Sequence, residues 1–225
     1  MTKRALIVAI DNYTYQLDIT GNINAGNLWK TYFLSKGYTV STLYNTAATK
    51  TAIMSKLNTL THLTTTVDTL AVVLLGHGGQ FSDNGTDEVD RKDEVFAPVN
   101  TTLAGSNAIR DDELKSYLSH VATGSIVEVV VDACHSGTMI DRTVTSPNTL
   151  WASCLPTQLS GAAAWNGIPY ATFSYILVYY LNNAPTASRQ EMIEGAVAEL
   201  IGWGILTQTP QLECTDAKKA GVPFT

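Results

Sequence analysis

The sequence contains few cysteines, few charged residues and no long hydrophobic run. Its 225 residues include three cysteines, an odd and widely spaced set. Such a set argues against a disulfide framework or a zinc cluster and favours a reducing compartment. No apolar run approaches the roughly 18 residues that a membrane span needs. The apolar residues 5–10 meet Asp11 before any cleavage site, which indicates a strand and not a signal peptide. We therefore expect a cytoplasmic protein that binds no membrane.

Basic residues are scarce as well. The chain has 14 Lys and Arg against 20 Asp and Glu, a formal charge of −6, which excludes nucleic-acid binding through bulk charge. Hydrophobic residues make up 45% of the sequence, so we expect a chain that folds around a core, as a single domain over residues 1–225. Residues 83–113 hold nine acids and three bases and so carry the whole net charge. This concentration indicates a local cation site.

Short β-rich apolar runs alternate with helical patterns along the chain. Strands are predicted at residues 5–10, 38–44, 69–75 and 125–131, with weaker candidates at 150–154 and 210–214. Helices are predicted at about 25–36, 47–61, 111–120, 169–181 and 188–200, and a loop at 81–94. Such alternation predicts an α/β fold with a mostly parallel sheet and helices on both faces.

Two chemically active tripeptides follow strongly predicted strands: Gly-His-Gly at 76–78 and Ala-Cys-His at 133–135. If the third and fourth strands are neighbours, His77 and Cys134 project from the same sheet edge, where ligands of such sheets bind. An imidazole promotes formation of the thiolate nucleophile. The backbone N–H groups of Gly78 and Cys134 are candidates for an oxyanion hole. The residue types alone leave open that Cys134 is a buried small hydrophobe.

The segments ALIVAIDNY, LLGHGGQ, VVVDACHSG and IRDDEL, with the later ATFSYILVYYL and QTPQLEC, resemble the caspase-like cysteine peptidases of the metacaspase type over nearly the whole chain. The resemblance implies a caspase-like three-layer sandwich with a large-subunit-like region at about 1–145 and a small-subunit-like region at about 146–225. It also implies a catalytic domain without a prodomain. It assigns Cys134 as the nucleophile and His77 as the general base and acid of a peptide-cleaving dyad.

The resemblance further implies calcium dependence, with ligands at Asp93, Asp111, Asp112 and Asp141. Carboxylates from separate loops are hard oxygen ligands that suit Ca²⁺. From the residues alone, Asp111 and Asp112 are equally explained as acids at a helix N-terminus, and Asp93 as a solvated side chain.

The resemblance implies a peptide or protein substrate cut after Arg or Lys, and a monomer. A basic side chain needs carboxylates in its pocket, and Asp132 matches one of them. The sequence departs from the family pattern at Asn22, Ala25 and Leu75, where a Cys, an Asp and a small residue are expected. The alternative is therefore a catalytically impaired regulatory or scaffolding module. A nucleotide-binding domain is disfavoured because no glycine-rich loop follows the first strand.

Overall fold

The strands and helices follow the alternation expected from the sequence. A computed structural model describes residues 1–82, 91–140 and 148–225. Its elements in chain order are β1 (Lys3–Ala9), α1 (Asn22–Ser35), β2 (Thr39–Tyr44), α2 (Lys50–Leu63), β3 (Thr69–Leu75), β4 (Gly78–Ser82), β5 (Lys92–Phe96), β6 (Ile109–Arg110), α3 (Asp111–Leu118), β7 (Ile126–Asp132), β8 (Asn148–Ala152), β9 (Ala162–Trp165), β10 (Ile168–Ala171), α4 (Thr172–Asn183), α5 (Arg189–Gly202), β11 (Gln211–Glu213) and α6 (Asp216–Lys219). Within these ranges we find no helix with the length and apolar character of a membrane span.

Six strands form the central sheet, in the order β11-β8-β7-β3-β1-β2. All neighbouring pairs are parallel except β11 with β8, which is antiparallel. The predicted neighbourhood of β3 and β7 is confirmed: Leu75 lies opposite Asp132 in their register. The residues that follow these two strands therefore leave the sheet side by side.

Helices cover both faces of this sheet, as predicted. Side chains alternate along a strand, so Leu6 of β1 packs in the apolar layer under α2 and α3, whereas Ile7 packs in the layer under α1, α4 and α5. Both are completely buried. Strands buried on both faces read as continuous apolar runs, which explains why β1, β3 and β7 were predictable from sequence.

A buried ion pair joins the two regions of the chain. Glu128, in the middle of β7, is fully buried and accepts hydrogen bonds from Arg189 at the start of α5 and, at 2.7 Å, from the Trp151 indole. A buried charge needs such partners, and removing one of them costs about 3–5 kcal/mol. The pair therefore holds α5 against the strand that ends at Asp132.

The predicted loop at 81–94 is wrong at both ends. Residues 81–82 belong to β4 and residues 92–94 belong to β5, which pair antiparallel in a three-stranded sheet with β6; residues 83–90 lie outside the described ranges. The predicted helix at 169–181 starts later, at Thr172, because residues 168–171 form a hairpin with β9. Glycine-rich, polar or alanine-rich strands outside the main sheet have no apolar run to reveal them.

Candidate active site

A cavity of about 390 Å³ opens at the carboxyl ends of β3 and β7. Its lining includes both predicted catalytic side chains, His77 and Cys134, together with Asp132, Asn22 and Asp18. His77 lies two residues beyond Leu75, and Cys134 lies two residues beyond the paired Asp132. The parallel register of two neighbouring strands therefore delivers the imidazole and the thiol to one cavity.

The His77 ring is oriented by the segment between β1 and α1. Its Nε2 lies 2.8 Å from the carbonyl oxygen of Leu17, and its backbone N–H donates to the hydroxyl of Tyr13 at 2.7 Å. A carbonyl oxygen only accepts, so Nε2 carries the proton in this contact and Nδ1 is left as the basic nitrogen. The Tyr13 ring also packs on the imidazole, with centroids 4.7 Å apart.

This segment, residues 11–20, is held by its own side chains. Asp11 accepts from the Asn22 backbone N–H at 2.9 Å and so caps α1, and Asp18 accepts from the Tyr13 N–H at 2.8 Å. These bonds fix the position of Leu17 between them. Leu17 acts through its carbonyl, and its side chain is 83% exposed, so no side-chain pattern could have identified it.

Cys134 is a half-buried thiol on the turn that follows β7. Its sulfur lies 3.7 Å from the carbonyl oxygen of Ser160. Burial raises the pKa of the Cys134 thiol, and the negative charge of Asp132 adds to this effect. A thiol held in its neutral form requires a base for nucleophilic attack. The other two cysteines, Cys154 and Cys214, are buried packing residues.

The neighbouring His135 is directed away from this pair. Its φ of 55° lies in the left-handed region, and its Nδ1 lies 2.6 Å from the carbonyl oxygen of Pro156. The expectation that His135 points elsewhere therefore holds, but because of its left-handed backbone and its contact with Pro156 and not because of alternation in an extended chain. His77 is therefore the histidine that shares the cavity with Cys134.

The start of β4 packs directly on the turn that carries the thiol. A Cβ built on Gly78 would lie 2.1 Å from the Cys134 carbonyl oxygen and 3.1 Å from the Ala133 Cβ. Only glycine permits this approach. The two predicted oxyanion amides, of Gly78 and Cys134, thus lie on adjacent segments.

Asp132 is a buried carboxylate in the cavity wall. It accepts from the Ser160 hydroxyl at 2.7 Å and from the Ser174 backbone N–H, in the first turn of α4, at 2.8 Å. Burial raises the pKa of Asp132 even with these donors in place. Asp132 therefore anchors α4 and places a carboxyl group in the wall of the cavity.

The other predicted pocket residues separate into two groups. Asn22 lines the cavity, and its amide donates to the Ile10 carbonyl at 2.9 Å. Ala25 and Leu75 are fully buried in the apolar layer under α1 and α4, and neither belongs to the cavity lining. The wall instead contains Asp18, an exposed acid that the sequence interpretation did not select.

Of the predicted calcium ligands, Asp93 lies in β5, and Asp111 and Asp112 begin α3. Asp93 and Asp111 are each 1% exposed, Asp112 is exposed, and Asp141 lies outside the described residues. Asp93 pairs with the guanidinium of Arg110. Asp111 accepts from the backbone N–H groups of residues 94 and 112, at 3.0 and 2.8 Å. Burial, with the nearby charges of Asp93 and residue 94, raises the pKa of Asp111 to about 7.

These acids do not form a ready metal site by themselves. Within 1–82, 91–140 and 148–225 no group of three or more His, Cys, Asp or Glu side chains is arranged to hold a metal ion. Asp93 already has a cationic partner in Arg110, and Asp111 is engaged with backbone donors. The described residues therefore supply at most two of the four predicted ligands in buried positions.

Comparisons with known proteins identify the family of this chain. Metacaspase-1 of Eremothecium gossypii is 29% identical over 150 residues, which cover 62% of this chain and 33% of that protein. Metacaspase-2 of Arabidopsis thaliana is 31% identical over 151 residues, covering 62% of this chain and 35% of its own. The chain thus spans about a third of the length of these curated relatives.

The fold is also found in a crystal structure of a protein from Geobacter sulfurreducens. The match has a TM-score of 0.80 and 19% identity, and it covers 100% of this chain and 99% of that one. The family profile described as metacaspase, peptidase C14 domain, matches residues 3–143, from the start of β1 to beyond the turn that carries Cys134. The chain therefore has the caspase-like α/β fold and belongs to the metacaspase family of cysteine peptidases.

Proposed function

We propose that this chain is an endopeptidase in which Cys134 is the nucleophile and His77 is the general base and acid. The observation that carries the proposal is the orientation of His77: its Nε2 contacts the Leu17 carbonyl at 2.8 Å, and its ring lies in the cavity shared with Cys134. A base oriented by a third group beside a nucleophile is the arrangement that acyl transfer requires.

The proposed reaction has two steps. In the first, Nδ1 of His77 takes the proton from the Cys134 sulfur as the thiolate adds to the scissile carbonyl carbon, and the C–N bond then breaks as His77 protonates the leaving amine. The oxyanion that forms accepts from the amides of Gly78 and Cys134. In the second step water attacks the thioester, His77 takes its proton, and the acid product leaves with the thiol restored.

For the substrate, we propose Arg or Lys at the P1 position. Asp132 and Asp18 both line the cavity and give it two carboxylates, and the lining contributed by residues 1–82, 91–140 and 148–225 contains no Lys or Arg. Carboxylates pair with basic side chains through charge-assisted hydrogen bonds. Asp18 thus contributes a second carboxylate to the cavity, whereas Ala25, at the position where the family pattern has an Asp, has none and lies in the apolar layer.

Calcium dependence is a further part of this proposal. Support comes from the resemblance and from the placement of two buried carboxylates, Asp93 and Asp111, beside a single Arg110. A calcium ion would compete with Arg110 for Asp93 and would draw further oxygens from outside the buried pair. The test is activation by Ca²⁺ in wild type and in Asp112→Ala, with Asp216→Ala as a control at a 95% exposed carboxylate on α6. We expect activation to disappear only in Asp112→Ala; activation retained in both variants would refute the assignment.

We also propose that the chain acts as a cytoplasmic monomer on peptides or proteins. The apparent mass from light scattering should be that of one chain, both with and without calcium. A dimer at micromolar concentration would contradict this part of the proposal.

The second candidate is a catalytically impaired regulatory or scaffolding module. It is favoured by the altered pocket, since Asn22 and Ala25 carry no acid. The discriminating experiment offers fluorogenic peptides with Arg, Lys or Asp at P1, with and without Ca²⁺, followed by a thiol-directed peptidyl inhibitor. Cleavage of Arg and Lys peptides with labelling of Cys134 supports the peptidase; no cleavage and no labelling supports the module.

A further inference from the structure

A second pocket, lined mainly by aromatic rings, lies apart from the catalytic groups. It has a volume of about 200 Å³ and is enclosed by α4, α5 and the β9–β10 hairpin. Its walls include Trp165, Tyr175, Tyr179, Trp203 and one acid, Glu199. Ligand pockets for drug-sized molecules measure about 300–1,000 Å³, so this one suits a smaller chemical group.

The rings are held against one another and form fixed walls. Trp165 stacks on Tyr175 with centroids 3.9 Å apart and an interplanar angle of 9°, and Trp203 meets Trp165 edge-on at 5.0 Å. Trp203 is nevertheless 42% exposed and Tyr179 is 53% exposed. Large aromatic side chains that remain open to solvent in a concave cluster are typical of binding sites.

Glu199 places a carboxylate in this aromatic pocket. Within the part of the chain that the structure describes, its carboxylate has no hydrogen-bond or ion-pair partner. A carboxylate in a pocket lined by aromatic residues favours a cation that also gains from π-systems, which is an organic ammonium group. A hydrated metal ion would need several oxygen ligands, and the described lining offers one carboxylate and the hydroxyls of two tyrosines.

We propose that this pocket binds a quaternary or methylated ammonium group, held by cation–π contacts with Trp203 and Tyr179 and by the charge of Glu199. The hairpin that carries Trp165 begins at Ala162, which lines the catalytic cavity. Three residues of strand span about 10 Å, so Trp165 lies about 10 Å along β9 from a residue that lines the catalytic cavity. Binding itself does not depend on peptidase activity.

The test measures binding of choline by tryptophan fluorescence and calorimetry, against its uncharged isostere 3,3-dimethylbutan-1-ol. The two compounds have nearly the same shape, so only the charge distinguishes them. We expect saturable binding of choline and binding of the alcohol weaker by about fivefold or more, since each cation–π contact with a partly exposed ring contributes about 0.5–1 kcal/mol. Equal affinity for both, or no saturable binding of choline, would overturn the proposal.

Two variants distinguish the contribution of the Glu199 charge to choline binding from the contribution of the aromatic walls. Glu199→Gln should weaken choline binding several-fold and leave the alcohol unchanged, whereas Trp203→Ala should weaken both. Glu194→Gln is the matched control on the same helix, where the carboxylate pairs with Gln190 at the surface. An unchanged choline affinity in Glu199→Gln, with melting temperatures equal to wild type, would also overturn the proposal.

A peptide with trimethyl-lysine and its unmethylated counterpart identify the source of the ammonium group. Preference for the trimethylated peptide over choline assigns the site to a protein side chain, and equal affinities assign it to a small molecule. Performing all measurements on Cys134→Ala as well keeps them independent of the proposed peptidase. Absence of peptide cleavage by the wild-type protein, with choline binding retained, would contradict only the proposed function.

Discussion

The Nε2 atom of His77 lies 2.8 Å from the carbonyl oxygen of Leu17, a residue 60 positions earlier in the chain. This contact fixes which imidazole nitrogen is protonated and which is free to act as a base. The orientation of His77, the proposed general base, therefore depends on the backbone of the segment between β1 and α1.

Substitution of the Leu17 side chain should have little effect. Leu17→Ala keeps the carbonyl group, so we expect kcat/KM within about twofold of wild type. Tyr13→Phe removes the acceptor of the His77 amide and should lower kcat/KM several-fold, with a loss of about 1 kcal/mol in the free energy of unfolding. Tyr15→Phe, at a ring 56% exposed, is the control. A Tyr13→Phe variant as active and stable as wild type would contradict this account of His77.

Gly78 should not tolerate a side chain, although its neighbour should. The Cβ of Gly78→Ala would lie 2.1 Å from the Cys134 carbonyl oxygen, whereas that of Gly79→Ala would meet its nearest atom, on Val95, at 3.8 Å. Displacement of the nucleophile turn by about 1 Å costs about 10²-fold in rate, so we expect such a loss only in Gly78→Ala. The comparison is made on kcat, with circular dichroism to verify folding. Similar activity in the two variants would show that the Cys134 turn accommodates a Cβ at residue 78, and it would contradict the close packing described above.

The reactivity of Cys134 should rise steeply with pH. Burial raises the pKa of the thiol, so the thiolate fraction, and with it the alkylation rate, should increase about tenfold per pH unit to beyond about 8.5, the usual value for cysteine. The rate is measured with iodoacetamide, and modification is located at Cys134 by mass spectrometry. The buried Cys154 and Cys214 serve as internal controls. A rate that levels off below pH 7 would mean a preformed thiolate–imidazolium pair instead of a neutral thiol.

Recognition of a basic P1 residue should depend on pH through Asp132. Burial raises the pKa of this carboxyl above its ordinary 3.8. As the pH falls, Asp132 is therefore protonated at a higher pH than an exposed Asp, and binding of the Arg side chain weakens. The ratio of kcat/KM for Arg and citrulline peptides should therefore rise with pH through that raised value and then level off. Citrulline has nearly the same shape without charge, so the ratio cancels ionisations that affect cleavage of both peptides equally.

Two variants test the carboxylates of the pocket separately. Asp132→Asn should abolish the pH dependence of the ratio, and it also removes a charged anchor of α4, so its melting temperature is measured in parallel. Asp18→Asn, at an exposed position, should raise KM for the Arg peptide by about three- to tenfold with kcat unchanged. An Asp18→Asn variant with unchanged KM would exclude Asp18 from P1 recognition.

The sequence predicted the strands of the main sheet well, but it did not predict the small three-stranded sheet or the hairpin outside it. Strand β3 was expected at residues 69–75 and is found at Thr69–Leu75, because a strand buried on both faces has an uninterrupted apolar sequence. Helix α5 was expected at 188–200 and is found at Arg189–Gly202, since Ser188 and Glu191 form a capping box. The small sheet of β4, β5 and β6 and the β9–β10 hairpin were missed, because pairing between short polar strands depends on tertiary contacts.

Within the candidate site, the sequence identified side chains that the structure brings to one cavity, but it did not identify groups that contribute through the backbone. His77 and Cys134 were identifiable by their position after two strands, whereas Leu17 contributes a carbonyl that any residue possesses. Ala25 and Leu75 were placed in the pocket by resemblance, but the packed faces of α1 and β3 hold them in the apolar layer. Asp18 reaches the cavity only through the hydrogen bonds of residues 11–20, which no local pattern encodes.

The most direct test of the central claim is cleavage of one Arg-containing peptide by wild type and by Cys134→Ala, with products identified by mass spectrometry. Cys134→Ala removes one sulfur atom from a half-buried position and should preserve the fold. The account predicts cleavage on the carboxyl side of Arg by wild type and a loss of about 10³-fold or more in kcat/KM for the variant. Equal cleavage by the two proteins, after verification of purity, would contradict the assignment of Cys134 as the nucleophile.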